Sequence, residues 1–148
     1  MKTRFFGQRI AFSALLTLGL STTATAGLPT FTNFNVTNNG ASNWVIDGLN
    51  NPSLTLVRGQ NYQFVLQNVP SMHPFYINVI NTTGPANQYS DGVVNNGATG
   101  NSTVQFFVST SAPNSLFYNC GNHGSMNGTL TIVNDAIFAS GFDQPPVL

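Results

Sequence analysis

A seven-residue segment near the C-terminus combines three residue types that bind metal ions. Cys120, His123 and Met126 follow one another at equal spacings of three, in a C-x2-H-x2-M pattern. Cys120 is the only cysteine of the chain, and His123 is one of its two histidines. Thiolate, imidazole and thioether groups are soft or borderline ligands. The segment therefore predicts a binding site for one metal ion.

The other histidine, His73, heads an apolar segment, residues 73–77, that resembles a strand. Two imidazoles, one thiolate and a weak axial thioether form a set that suits copper and electron transfer. Taken singly, Cys120 could be a buried inert thiol or half of an intermolecular disulfide, and each histidine an ordinary polar residue. Because three of the five Cys, His and Met residues beyond residue 26 share one short segment, the metal site is favoured.

The local backbone decides whether the three residues can share a site. A spacing of three would also place them on one face of a helix. The intervening residues are Gly, Asn and Ser, and Asn127-Gly128 closes the segment, which indicates a loop. Cys120 alternates with Tyr118 and Leu116, so we expect a strand that points the sulfur inward beneath this loop.

Eight short segments with alternating apolar residues make up most of the remaining chain. They lie at residues 34–36, 44–46, 54–56, 62–66, 75–79, 104–108, 116–118 and 130–132. Such runs, separated by Asn-Gly and Asp-Gly turns, predict an all-β fold with antiparallel strands. No segment beyond the leader has a convincing helical period. We therefore expect an antiparallel β-sandwich of about eight strands.

The first 26 residues have the composition of a signal peptide. Three basic residues precede an apolar run at residues 10–20, and Ala24-Thr25-Ala26 matches a small-x-small cleavage site. We expect cleavage after Ala26 and a location in the periplasm or outside the cell. Neither this run nor any later segment is long enough to span a bilayer, so we expect no membrane span after cleavage.

The rest of the chain suits a single domain, residues 27–134, followed by a tail at residues 135–148 that we expect to be flexible. It keeps one basic residue, Arg58, against four aspartates, a formal charge of −3. Nucleic-acid binding therefore has no electrostatic basis. One cysteine permits no intramolecular disulfide. We expect a monomer.

Several motifs occur in an order that resembles a known family. They are WVIDG (44–48), NPSLTLVRG (51–59), YQF (62–64), HPF (73–75), APNSLFYNC (112–120) and HGSMNGTL (123–130). Over about residues 32–133 the chain resembles the cupredoxins of the plastocyanin/azurin superfamily. Its ligand-loop spacing is most similar to that of the amicyanin subgroup.

The resemblance implies a Greek-key, cupredoxin-like form of the sandwich and one type 1 copper ion. It implies that His73 is the upstream ligand, Cys120 the thiolate, His123 the second imidazole and Met126 the axial ligand. The implied function is an exported blue copper protein that carries electrons, and no catalytic residue is predicted. We expect an unidentified redox partner protein to dock near His123.

Two other functions fit the same ligands. One is a copper buffer or chaperone that binds the ion for transfer. The other is a structural domain that copper merely stabilises. An enzyme is disfavoured because there is no second histidine cluster for a catalytic copper, and no Ser-His-Asp set once both histidines bind the metal.

One residue departs from the family pattern. Many cupredoxins have an asparagine after the upstream histidine, and its backbone N–H donates to the copper-bound sulfur. Pro74 has no N–H to donate. We expect a less stable Cu(I) form and a lower reduction potential, unless a neighbouring amide substitutes.

Overall fold

A computed structural model of the protein describes residues 28–135. The predicted signal peptide, residues 1–26, and all but the first residue of the predicted tail, residues 135–148, lie outside this range. Within residues 28–135 there is no helix with the length and apolar character needed to cross a membrane.

Residues 28–135 form ten strands in two sheets. In chain order they are β1 (Thr32–Asn39), β2 (Asn43–Ile46), β3 (Leu49–Asn50), β4 (Leu54–Val57), β5 (Asn61–Val69), β6 (Phe75–Asn78), β7 (Val93–Val94), β8 (Gly100–Phe107), β9 (Ser115–Cys120) and β10 (Asn127–Val133). The six-stranded sheet has the order β3-β2-β1-β5-β8-β7, and the four-stranded sheet has the order β4-β10-β9-β6. The predicted all-β sandwich is confirmed. The chain changes sheet after β3, β4, β5, β6 and β8, as expected for Greek-key connections.

The eight predicted alternating segments correspond to the eight longer strands. The two further strands, β3 and β7, have two residues each, too few to show any alternation. The expectation of purely antiparallel pairing needs correction, because β1 pairs with β5 and β4 with β10 in parallel. Alternation shows which residues face the core, but it does not show the direction of a neighbouring strand that is distant in the chain.

Aromatic side chains fill the core near the end of the sandwich where β9 stops. The ring of Phe75 lies 5.0 Å from that of Trp44, 5.1 Å from that of Phe64 and 5.8 Å from that of Tyr118, measured between centroids. All four side chains are buried. Such pairs add about 0.5–1.5 kcal/mol each beyond their buried area. This end of the core is therefore a rigid base for the side chains above it.

Strand pairing in the smaller sheet brings the predicted ligands to that same end. β6 and β9 are antiparallel neighbours in which Phe75 lies opposite Cys120. His73 stands two residues before Phe75, beside the end of β9. β9 and β10 are also antiparallel neighbours, so the segment between them must turn back over this end.

Candidate metal centre

The segment between β9 and β10 is a loop, as predicted. The Cys120 N–H donates to the Met126 carbonyl at 2.9 Å, and the Met126 N–H donates to the His123 carbonyl at 3.2 Å. Asn119 and Asn127 face each other across the two strands at the base of the loop. These contacts close residues 120–126, which we call the ligand loop, into a tight turn.

Three of the four predicted ligands meet at the base of this loop. His73 Nδ1 and His123 Nδ1 lie 3.0 Å apart. Cys120 Sγ lies 3.7 Å from His73 Nδ1 and 3.5 Å from His123 Nδ1. Among the His, Cys, Asp and Glu side chains of residues 28–135, these three form the group whose ligand atoms are close enough to share one metal ion.

The size of this triangle fits one metal ion. The point equidistant from the two nitrogens and the sulfur lies about 2.0 Å from each. For comparison, zinc binds nitrogen at about 2.0–2.1 Å and sulfur at about 2.3 Å. The three atoms are therefore close to bonding distance from a common centre. Met126, the predicted axial ligand, is fully buried at the end of the same loop.

The two imidazoles differ in their surroundings. His73 is buried, its backbone N–H donates to the Pro70 carbonyl at 2.9 Å, and its ring meets the edge of Trp44 at a centroid distance of 6.4 Å. His123 is half-buried. Burial and, to a smaller extent, the nearby His123 lower the pKa of His73. This lowered pKa favours the neutral imidazole, which is the form that binds metals.

The sulfur of Cys120 has a backbone donor in spite of Pro74. Cys120 is a buried free thiol, and the Asn122 N–H lies 3.5 Å from its Sγ. The Asn122 side chain in turn donates to the Met72 carbonyl at 2.8 Å, which ties this part of the loop to the segment before His73. The backbone amide of Asn122 is therefore a neighbouring donor of the kind that could substitute for the one missing at Pro74.

The structure also shows anchors of the ligand loop that motif reasoning missed. Asn51 Nδ2 donates to the Ser125 carbonyl, and Ser125 Oγ donates to the Ala41 carbonyl, at 2.9 and 2.8 Å. Asn127 Nδ2 donates to the Gly124 carbonyl at 2.7 Å. The sequence indicates a turn at Asn127 but not this bond. The chain has 20 asparagines, but their number does not indicate which groups their side chains bond to.

Comparison with known proteins gives distant likenesses only. No family model and no curated protein matches the chain. A solved structure of rusticyanin from Thiobacillus ferrooxidans is 15% identical, with a TM-score of 0.47, and the match covers 73% of this chain and 79% of that one. A rusticyanin variant is 14% identical, with a TM-score of 0.47 and the same two coverages.

A multicopper oxidase from Campylobacter jejuni, described as a metallo-oxidase, is 10% identical, with a TM-score of 0.45. The match covers 71% of this chain but 26% of the oxidase. Identities and scores as low as these carry no function over to this chain. Any function assigned to this chain therefore rests on its own residues.

Proposed function

We propose that the chain is an electron-transfer protein of the cupredoxin type, which binds one copper ion through His73, Cys120, His123 and Met126. The observation that carries the proposal is the triangle of two imidazole nitrogens and one thiol sulfur, with edges of 3.0, 3.5 and 3.7 Å, at one end of a β-sandwich. The donor set is the one that suits copper and electron transfer.

When bound, copper would supply a one-electron couple between Cu(I) and Cu(II). The protein must hold its ligands in nearly the same place for both forms, so that little rearrangement accompanies each electron. Cys120 is held by β9, and His73 is buried against Trp44. His123 and Met126 are held by the hydrogen bonds within the ligand loop. These contacts support a fixed ligand geometry.

Burial of the donors supports a site from which water is excluded. His73, Cys120 and Met126 are each at most 3% exposed. Cys120 would bind the metal as a thiolate and give up its proton, and the Asn122 N–H is placed to stabilise the charge on sulfur.

In this proposal, electrons enter and leave the site through the half-buried ring of His123. Met72 is 59% exposed, and its carbonyl accepts from the side chain of Asn122, the residue before His123. We infer that a redox partner docks over His123. Because the chain beyond the leader has few charged residues, one arginine and four aspartates, strong electrostatic steering is not expected, and the association rate should vary little with salt.

Export is part of the proposal. The predicted signal peptide ends at Ala26, and a location in the periplasm or outside the cell follows from its cleavage. N-terminal sequencing of the protein recovered from cells tests this directly. A chain that begins at Gly27 supports export, and a chain that retains Met1 contradicts it.

A copper carrier is the second candidate, and one observation favours it. The exposed thioether of Met72, next to His73, is a further soft group at the surface that could receive Cu(I) from a donor protein. A carrier must release its ion readily, whereas an electron carrier must keep it. Rapid copper loss to a chelator would favour the carrier, and slow loss with reversible voltammetry favours electron transfer.

The test of the proposal is a visible spectrum of the purified protein with Cu(II). We expect an intense thiolate-to-copper band that disappears on reduction and returns on oxidation. The zinc-loaded protein is the control, because zinc occupies the same ligands without redox chemistry. Absence of the band at saturating Cu(II) would contradict a type 1 site.

A further inference from the structure

Four asparagine side chains form a continuous hydrogen-bonded chain that ends at the ligand loop. Asn78 Nδ2 donates to Asn119 Oδ1 at 3.3 Å, and Asn119 Nδ2 donates to Asn81 Oδ1 at 2.6 Å. Asn81 Nδ2 donates to Asn127 Oδ1 at 3.1 Å, and Asn127 Nδ2 donates to the Gly124 carbonyl at 2.7 Å. Each amide therefore donates towards the loop. We call these four residues the asparagine chain.

The asparagine chain links the strands that carry the ligands to the loop between them. Asn78 ends β6, Asn119 precedes Cys120 in β9, and Asn127 begins β10. Gly124, the acceptor at the end, directly follows His123. Since successive side chains in a strand point to opposite faces, the Asn119 amide and the Cys120 sulfur lie on opposite sides of β9.

Asparagine is well suited to a buried chain of hydrogen bonds. An amide both donates and accepts, so amides can be linked in series without any charge. Asn78 and Asn119 are 0% and 2% exposed, and a carboxylate buried there would be costly to desolvate. A carboxylate near the metal would also favour Cu(II) and resist reduction.

We propose that the asparagine chain positions the ligand loop, and with it His123, before any metal binds. The role of the loop rests on the proposed copper site, but the ordering of the loop can be measured without copper. Asn51 and Ala41, which adjoin strands of the larger sheet, hold the loop through Ser125, and the asparagine chain holds it from the smaller sheet. The loop is thereby fixed between the two sheets.

Asn81 is the link to remove. It is exposed, so water can take the place of its amide beside Asn119 Nδ2, and the fold should tolerate alanine there. A neutral hydrogen bond contributes about 0.5–1.5 kcal/mol, so losing the link should speed local opening of the loop about two- to tenfold.

Asn35→Ala is the matched control. Asn35 is also exposed, accepts from Gln67 Nε2 at 3.2 Å and donates to Asp47 Oδ1 at 3.1 Å. It therefore occupies the middle of a similar chain of side chains. It lies in β1 of the larger sheet, and neither partner belongs to the ligand loop.

The experiment is hydrogen exchange of the metal-free protein, read over residues 119–127. We expect Asn81→Ala to raise exchange of the Cys120 and Met126 amides about two- to tenfold and Asn35→Ala to leave it unchanged. Asn127→Ala should act like Asn81→Ala. The double variant should add little, because either change breaks the same chain. Equal exchange in Asn81→Ala and Asn35→Ala would overturn the proposal.

Copper release to a chelator is the second measurement. We expect Asn81→Ala to release Cu(II) faster by a similar factor, with a shifted visible band, and Asn35→Ala to match the unchanged protein. A lower melting temperature with unchanged loop exchange and copper release would show a merely structural role and overturn the proposal. If the unchanged protein takes up no copper, the proposed function fails, while the exchange experiment still decides whether the asparagine chain orders the loop.

Discussion

Cys120 is the residue that separates the proposed centre from an ordinary pair of neighbouring histidines. Its sulfur is within 3.7 Å of both imidazole nitrogens and accepts from the Asn122 N–H. A thiolate so placed would give a copper centre both its colour and its preference for the reduced ion. The chemistry of the site therefore depends more on this side chain than on any other.

Cys120→Ser should abolish the intense visible band at saturating Cu(II), because the transition originates on sulfur. Met126→Gln is the control that changes the other sulfur. It should keep the band and lower the potential, since an oxygen ligand favours Cu(II). Absorption spectra and voltammetry measure both effects. An intense band in Cys120→Ser would refute the assignment of Cys120 as a ligand.

Tyr118 couples stability to alkaline pH. Its buried O–H donates to the Pro52 carbonyl at 2.6 Å, and burial raises its pKa well above the ordinary value. The folded protein therefore holds this proton more tightly than the unfolded chain does. The resulting stabilisation is complete below about pH 10 and is lost as the pH rises beyond it.

Tyr118→Phe should lower the unfolding free energy by about 1–3 kcal/mol at neutral pH, because the Pro52 carbonyl loses its donor. The variant should also lose less stability above about pH 10. The remaining, smaller loss would come from Tyr89, because burial and the nearby Asp91 raise the pKa of that residue too. Denaturant unfolding of the metal-free protein at neutral and alkaline pH measures both. An unchanged alkaline fall in the variant would contradict the assignment to Tyr118.

At the scale of the elements, the contact between β9 and β10 sets the shape of the site. Gly128 in β10 lies opposite Tyr118 in β9. A Cβ at Gly128 would collide with the hydroxyl and ring of Tyr118. The two strands therefore fit together because one residue has no side chain where the other has a large ring.

Gly128→Ala should push the Tyr118 ring aside and lower the unfolding free energy by about 1–3 kcal/mol. Since Tyr118 is two residues from Cys120, we also expect a displaced sulfur and a shifted visible band. Thr131→Ala is the control, because Thr131 is exposed on the same strand and should change stability by less than about 0.5 kcal/mol. An unshifted, equally stable Gly128→Ala protein would show that the strands tolerate a methyl group here.

Local sequence patterns predicted much of this arrangement. Alternation located the eight longer strands, and the Gly, Asn and Ser residues around His123 indicated the loop. His73 was predicted as a partner from its chemistry and from the family resemblance, and the structure places it beside Cys120.

Other features depend on which distant residues meet. The parallel pairing of β1 with β5 and the bond between Asn78 and Asn119 join segments far apart in the chain. Alternation gives the face on which a side chain lies but not its neighbour on the next strand. For the same reason, no pattern indicated that Asn51 would bond to Ser125.

At the scale of the whole molecule, the two ends of the sandwich have separate tasks. The proposed metal donors lie beyond the end of β5, and Arg58 lies just before its start. Nine residues of strand at about 3.3 Å each separate the two ends by roughly 30 Å. Arg58 donates to the carbonyls of Ala112 and Ile132 and to the side chains of Asn114 and Asn134.

Arg58→Lys should lower the unfolding free energy by about 1–3 kcal/mol, because an ammonium cannot reach the acceptors that the guanidinium fork serves. The visible band of the copper-loaded protein should not move, since the change lies at the other end. Denaturant unfolding and an absorption spectrum measure these two results. A shifted band would mean that the two ends are coupled through the sheets.

The position of Trp44 makes it an intrinsic fluorescent probe of the proposed metal site. It is the only tryptophan, its side chain is fully buried, its indole N–H has no hydrogen-bond partner within residues 28–135, and its ring meets that of His73. An indole in such surroundings should fluoresce at short wavelength and shift to longer wavelength on unfolding. Copper bound at His73 should quench the emission, whereas zinc should not. A fluorescence titration would then count the copper ions bound per chain without any added dye.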